Sequence, residues 1–279
     1  MTPDKLFDLT GKKALITGAA TGIGYMAAEG LMGAGCDVMI ASRKAKSCEG
    51  AAEQLNKLGL RGKAEGFAGD VGSMEGVEAL VEEVKKRTDK LHILMNNAGK
   101  TWGAPLEEFP WEGWSRVMDV NVTGMFHLTQ KLLPLLRAAG TAEDPARVIN
   151  TGSIGGWQPR GGQAFSYSVS KAAVHFMTES LAGRLAPEHI TVNAIAPGPF
   201  MSKMMAFAIG TEEQKQRAGK NLPLGRVGTP EDIQGAVLYF ASRAGAYVTG
   251  HTIPIAGGAN AGIPVPYDQV KATTVVDDD

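Results

Sequence analysis

The chain has 279 residues, 44% of them hydrophobic, and a formal net charge of -1. That is enough for one large α/β domain with a substantial core, while the near-neutral balance and the lack of any Lys/Arg-rich run argue against a nucleic-acid partner. Cys36 and Cys48 make no metal-ligand spacing and read as reduced intracellular thiols. No apolar run suits a membrane helix, and Met1 to Lys12 lacks the apolar region of a secretory signal, so a cytoplasmic protein without a metal is expected.

In chain order, β-branched or aliphatic runs predict strands at Lys13 to Thr17, Asp37 to Ala41, Lys63 to Ala68, Ile93 to Asn96, Arg147 to Thr151, Thr191 to Ala194 and His251 to Ile255. Between them, Gly22 to Met32, Ser47 to Leu58, Ser73 to Arg87, Trp111 to Arg137, Ser166 to Ala186 and Pro230 to Ser242 carry helical patterns. Strands alternating with helices predict a single-domain, Rossmann-like, doubly wound parallel sheet of seven strands with helices on both faces. The domain is expected to end near residue 262. Beyond it, Pro264, Pro266 and Asp277 to Asp279 mark residues 263–279 as an extension outside the core.

The first strand runs into Gly18, Thr21, Gly22, Ile23 and Gly24 at the start of a helix. Glycines permit close backbone approach there, and the helix N-terminus offers unpaired N–H groups to a pyrophosphate. The spacing Gly-x-x-x-Gly-x-Gly differs from the Gly-x-Gly-x-x-Gly dinucleotide fingerprint, and no Gly-Lys-Ser/Thr completes a nucleotide-hydrolysing loop. After the second strand, Ser42, Arg43 and Lys44 stand where an enzyme preferring NAD would place a carboxylate. A guanidinium suits a 2′-phosphate, so the cofactor expected is NADP(H).

Tyr167 and Lys171 are four apart at the start of a helical segment and share one face. A phenol with an ordinary pKa of about 10 needs nearby positive charge to exchange protons at neutral pH, and Lys171 can supply it. Ser153 follows the fifth strand at the sheet's carboxyl edge, with Gly155-Gly156 and Gly161-Gly162 shaping the loop. Its hydroxyl can hydrogen-bond a carbonyl oxygen as charge grows there. A serine after a strand is also a common turn residue or N-cap.

These residues, with Asp70-Val71, Asn96-Asn97-Ala98-Gly99, Asn121 and Pro197-Gly198 in the same order, resemble the short-chain dehydrogenase/reductase family from Phe7 to about Gly258. Within it the likeness is to NADPH-dependent β-ketoacyl reductases of the rhamnolipid type. The resemblance implies adenine contacts from Asp70 and Val71, and a wall beside the adenosine ribose from Asn97, Ala98 and Gly99. It also implies a nicotinamide contact from Pro197 and Gly198, and a water relay from Lys171 through Asn121. Tyr167 would then act as general acid in reducing a ketone to a secondary alcohol. The rival reading is a dinucleotide-binding redox sensor without turnover; its usual mark, a missing Tyr or Lys, is absent.

Residues 199–228 stand where this family places a substrate lid and carry Phe200, Met201, Met204, Met205, Phe207 and Ile209, with Trp102, Trp157 and Phe165 near the reaction centre in sequence. Such a lining suits a hydrophobic or 3-oxoacyl-type carbonyl substrate, though the same methionines would serve equally to pack the lid or a subunit contact. The two long helical segments carry Val117, Val120, Phe126, Leu128, Leu132, Val174, Phe176 and Leu181 on more than one face. An extra apolar face suggests association, and the resemblance implies a tetramer; burial within one subunit is the alternative.

Overall fold

Strands covered on both sides must be apolar along their whole length, and the central runs of this chain are. β1 (Lys13–Thr17), β4 (Ile93–Asn96), β5 (Ala146–Thr151) and β6 (Ile190–Pro197) are buried almost throughout. β2 (Asp37–Ser42) lies beside β1, while β3 (Ala64–Ala68) and β7 (Thr252–Ile255) form the more exposed edges. The computed structural model describes residues 2–158, 163–201 and 210–261. Gly161, Gly162, Met204, Met205, Phe207, Ile209 and the extension 263–279 lie outside the described residues.

All pairings are parallel, in the order β3-β2-β1-β4-β5-β6-β7. Connections reverse direction between β1 and β4, and in open α/β sheets that switch point opens a crevice at the carboxyl ends of the strands. Alternating side chains divide the core in two. Ile16, Ile40, Met95, Ile149 and Ile195 meet one helix layer, and Leu15, Met39, Leu94, Val148 and Val192 meet the other.

The short α1 (Pro3–Leu6) precedes the sheet. α2 (Gly22–Gly33), α3 (Ala45–Lys57) and the Pro230–Ala241 helix cover the first face. α4 (Met74–Lys85), α6 (Gly124–Ala139) and α7 (Phe165–Leu185) cover the second. The single helix expected over Trp111 to Arg137 is instead α5 (Trp111–Met118), a π turn over Asp119–Thr123, and α6. In the turn, Gly124 N–H reaches back to Asp119 O, and Asn121 is buried. Gly124 must be glycine, because a Cβ there would meet Val71 O at 1.7 Å.

β6 runs three residues beyond the expected Ala194 because it pairs with β5 as far as Ile195 and with β7 as far as Pro197. A further helix, Glu212–Lys220, was not anticipated; it opens with a capping box between Thr211 and Gln214. At the amino edge of the sheet, fully buried Arg147 donates to Phe240 O and Ser242 O at the end of the Pro230–Ala241 helix and pairs with Asp144. Near the carboxyl edge, Asn96 Nδ2 donates to Thr129 Oγ1 and Asn150 Oδ1, and Asn150 Nδ2 to Thr178 Oγ1. These bonds brace β4 and β5 against α6 and α7 beneath the crevice.

Candidate active site

β1 ends at Thr17 and turns through Gly18 and Gly22, whose φ angles of 67° and 64° favour glycine. Thr21 caps α2 with extended backbone but no side-chain bond, and no acidic residue occupies the first turn. The leading N–H groups and the positive dipole end therefore face the crevice without a side-chain partner, an arrangement that suits a phosphate.

Two of the turn's glycines also admit the protein's own β4 loop. A Cβ on Gly18 would lie 2.8 Å from Ala98 Cα, and one on Gly24 2.5 Å from Asn97 Nδ2. Asn97 Nδ2 donates to Thr17 O at 2.9 Å and Gly18 O at 3.1 Å, and Asn97 Oδ1 accepts from Thr151 Oγ1 at 3.3 Å. Thr17 Oγ1 in turn accepts the N–H groups of Asn97 and Ala98. Asn97, Ala98 and Gly99 thus form one wall of the crevice, with Gly99 exposed along it.

Beyond the β2 and β3 ends, a cleft of about 470 Å³ is lined by Arg43, Phe67, Gly69, Asp70 and Leu80. Arg43 is exposed at its rim, and exposed Lys44 caps α3. Ser42 Oγ lies 3.0 Å from Cys48 Sγ, a partner within the protein. Asp70 Oδ1 accepts Gly72 N–H. Val71 is buried among Phe67, Val77 and Leu80, and its carbonyl faces Gly124 of the π turn.

The reaction end is assembled from β5, α7, the π turn and the β6 terminus. Ser153 caps a short 3-10 turn (Ile154–Gly156) with Oγ accepting Gly155 N–H at 3.1 Å, and its side chain also hydrogen-bonds Tyr167. Lys171 is buried, its Nζ donating to Thr151 O at 2.6 Å and lying 5.7 Å from the Tyr167 ring centre. Asn121 Nδ2 donates to Lys100 O and Ser170 Oγ, while Asn121 Oδ1 accepts Lys100 N–H. The π turn therefore fixes the loop after β4 beside Lys171. At the β6 end, Gly198 N–H bonds Ile255 O, and a Cβ on Gly198 would meet Ala256 at 2.9 Å. The predicted catalytic residues converge on one side of the crevice, and the predicted cofactor residues extend from there to the Arg43 cleft.

The electrostatics correct one expectation. Burial brings the Lys171 ammonium down to about 8, and burial also raises the Tyr167 phenol, offset only in part by the Ser153 hydrogen bond. The protein's own groups do not acidify the phenol, because withdrawing it from water opposes ionisation more than its one hydrogen bond favours it.

Sequence reasoning did not single out Thr17, Thr151 and His175 for their parts here. Only His175 carried a signal: it continues the Tyr167 and Lys171 face by one more helical turn. Among the described residues no cluster of three His, Cys, Asp or Glu side chains suits a metal, and no helix is long and apolar enough to cross a membrane.

Residues 18–260 match a family model described as enoyl-(acyl carrier protein) reductase. The rhamnolipid-biosynthesis 3-oxoacyl-[acyl-carrier-protein] reductase of Pseudomonas aeruginosa is 43% identical over 252 residues, covering 90% of this chain and 97% of that protein. The chain belongs to the short-chain dehydrogenase/reductase family. The structure of the Pseudomonas aeruginosa RhlG/NADP active-site complex superposes with a TM-score of 0.86 at 43% identity, covering 93% of this chain and all (100%) of that one. A gluconate 5-dehydrogenase from Burkholderia cenocepacia, in complex with NADP and tartrate, gives a TM-score of 0.83 at 29% identity and covers 94% of this chain and 100% of that one. Membership makes the protein an oxidoreductase of hydride-transfer chemistry, and its residues accommodate the dinucleotide of those complexes: an uncapped helix start, a basic cleft rim and a buried ammonium.

Proposed function

We propose that the protein uses NADPH to reduce a hydrophobic ketone, either a 3-oxoacyl thioester or a free ketone with an apolar chain, to the secondary alcohol. The observation that carries this reading is the convergence of Ser153, Tyr167 and Lys171 in one crevice, with the Tyr167 side chain bonded to Ser153. Gly18, Thr21, Gly22, Ile23 and Gly24 would hold the pyrophosphate, and Ser42, Arg43 and Lys44 the 2′-phosphate side. Asp70, Val71, Asn97, Ala98 and Gly99 would flank the adenosine, with Pro197 and Gly198 beside the nicotinamide.

When bound, NADPH supplies the hydride that forms the new C–H bond at the carbonyl carbon, and its oxidised ring adds positive charge. Ser153 orients the carbonyl oxygen and stabilises the charge growing there. Tyr167 gives its phenolic proton to that oxygen. Lys171, an ammonium at neutral pH, steadies the phenolate left behind and recovers it by proton transfer from solvent, with Asn121 at the point where the relay water would be held.

Apolar side chains stand exposed on the outer helices: Trp111 on α5, Phe126 on α6, and Val169 and Phe176 on one face of α7. Of the other residues expected on a contact face, Val117, Leu128, Leu132 and Val174 are buried within the subunit, and Val120 and Leu181 are half-buried. The exposed set supports a homotetramer built partly on these helices.

The test is NADPH absorbance decay with a panel of 3-oxoacyl thioesters, cyclic diketones and aryl ketones, with an enoyl thioester as the competing class. Tyr167→Phe should lose at least about 100-fold in turnover. Equal rates in the parent and this variant would defeat the assignment, as would turnover confined to the enoyl thioester. Binding of NADPH without turnover of any substrate would favour the sensor reading.

A further inference from the structure

The geometry points to His175 as a positioning residue that sets the Ser153 hydroxyl through the Ser153 main chain, an inference that rests on the carbonyl-reductase reading above. His175 lies one turn beyond Lys171 on α7 and is 5% exposed. Its Nε2 accepts the backbone N–H of Ser153 at 3.3 Å. The segment from Gly152 to Trp157 wraps this imidazole. A Cβ on Gly152 would lie 2.3 Å from His175 Nε2, one on Gly156 2.8 Å from His175 Cε1, and the Trp157 ring packs on it with centroids 4.5 Å apart.

Each contact has a consequence for the reaction. Ser153 Oγ serves the Gly155 N–H and the Tyr167 side chain together, so the main-chain position at Ser153 decides whether one hydroxyl can meet both and still face a carbonyl. A displacement of about 1 Å in such an arrangement costs on the order of 100-fold in rate. For Nε2 to accept, the imidazole must be neutral with its proton on Nδ1. Nδ1 is buried and finds no hydrogen-bond partner among the described residues. Burial and the nearby Lys171 charge hold the ring neutral, with its pKa near 4. A leucine of similar bulk would fill the volume without leaving that nitrogen unpaired, so packing alone does not account for a histidine.

The experiment compares His175→Leu, which fills the space without an acceptor, with His175→Gln, whose Oε1 can reach the Ser153 N–H, alone and combined with Ser153→Ala. NADPH affinity is followed separately by fluorescence. Expected for His175→Leu is a 10- to 100-fold loss in kcat at the best ketone, with the Kd for NADPH within about threefold of the parent. His175→Gln should recover most of the loss. On the Ser153→Ala background the leucine substitution should cost no more than about twofold further, because it acts through a hydroxyl already removed.

A parent that turns over ketone and is crippled by Ser153→Ala, yet keeps its kcat in His175→Leu, would overturn this inference alone. So would a leucine penalty undiminished in the double variant. A parent inert to every ketone, or one indifferent to Ser153→Ala, would overturn the carbonyl-reductase reading and this inference with it. Should His175→Leu not fold, His175→Phe, which keeps a ring but no acceptor, carries the same comparison.

Discussion

Replacing Asn97 by alanine removes the amide that holds the β1 and β4 loops together, and the structure sets the size of the effect. Asn97 Nδ2 makes bonds of 2.9 and 3.1 Å to Thr17 O and Gly18 O, while the contact from Thr151 Oγ1 at 3.3 Å is long for an O–H donor. Two good bonds of about 1 kcal/mol each give about 2 kcal/mol. The loop does not come loose altogether, because Thr17 Oγ1 still accepts the N–H groups at positions 97 and 98. For a chain of this size 2 kcal/mol corresponds to a fall in Tm of about 4–8 °C, measured by circular dichroism without cofactor. Gly24→Ala attacks the same contact from the other side, since its new Cβ would lie 2.5 Å from the amide nitrogen. The two substitutions share one contact, so the double variant should lose less than the sum of the single losses. A Tm unchanged in Asn97→Ala, or strict additivity in the pair, would refute this account of the crevice wall.

Arg43→Ala should weaken NADPH by about 10- to 100-fold while leaving NADH nearly unchanged, as expected for one charge-assisted bond to a phosphate at an exposed rim; unchanged preference in steady-state kinetics would remove Arg43 from that role. Arg147→Met should destabilise by about 3 kcal/mol or more in urea unfolding, because Phe240 O, Ser242 O and the Asp144 carboxylate lose their buried partner. Stability should also fall as pH drops from about 6.5 toward 4. Burial lowers His92 and His175 to about 4 in the folded chain, so the unfolded chain takes up protons first across that window. Denaturant titrations at pH 7.5, 5.5 and 4.5 should show the decline, reduced in His175→Gln; a flat profile would contradict it.

The sequence alone specified the sheet and much of the crevice, because both are written locally. A buried parallel strand must be a continuous apolar run, so the inner strands were legible as such, while the alternation with helices placed the more exposed edges β3 and β7. A turn at positive φ favours glycine, and a Tyr-x-x-x-Lys pair on a helix shares a face whatever surrounds it. Only the tertiary structure decided which of these residues touch each other. The missing side chains of Gly18 and Gly24 also make room for Ala98 and Asn97, from a loop more than 70 positions away. Ser42 gains a partner in Cys48 from the next helix, and burial raises the Tyr167 phenol in spite of the Lys171 charge expected to acidify it. The π turn that buries Asn121 answers to the Lys100 backbone and the approach of Val71 O, and His175 gains its part from a strand-end loop folding around it. Hydrophobic period and backbone preference are properties of neighbours along the chain, whereas hydrogen-bond partners and desolvation exist only once distant segments have been brought together.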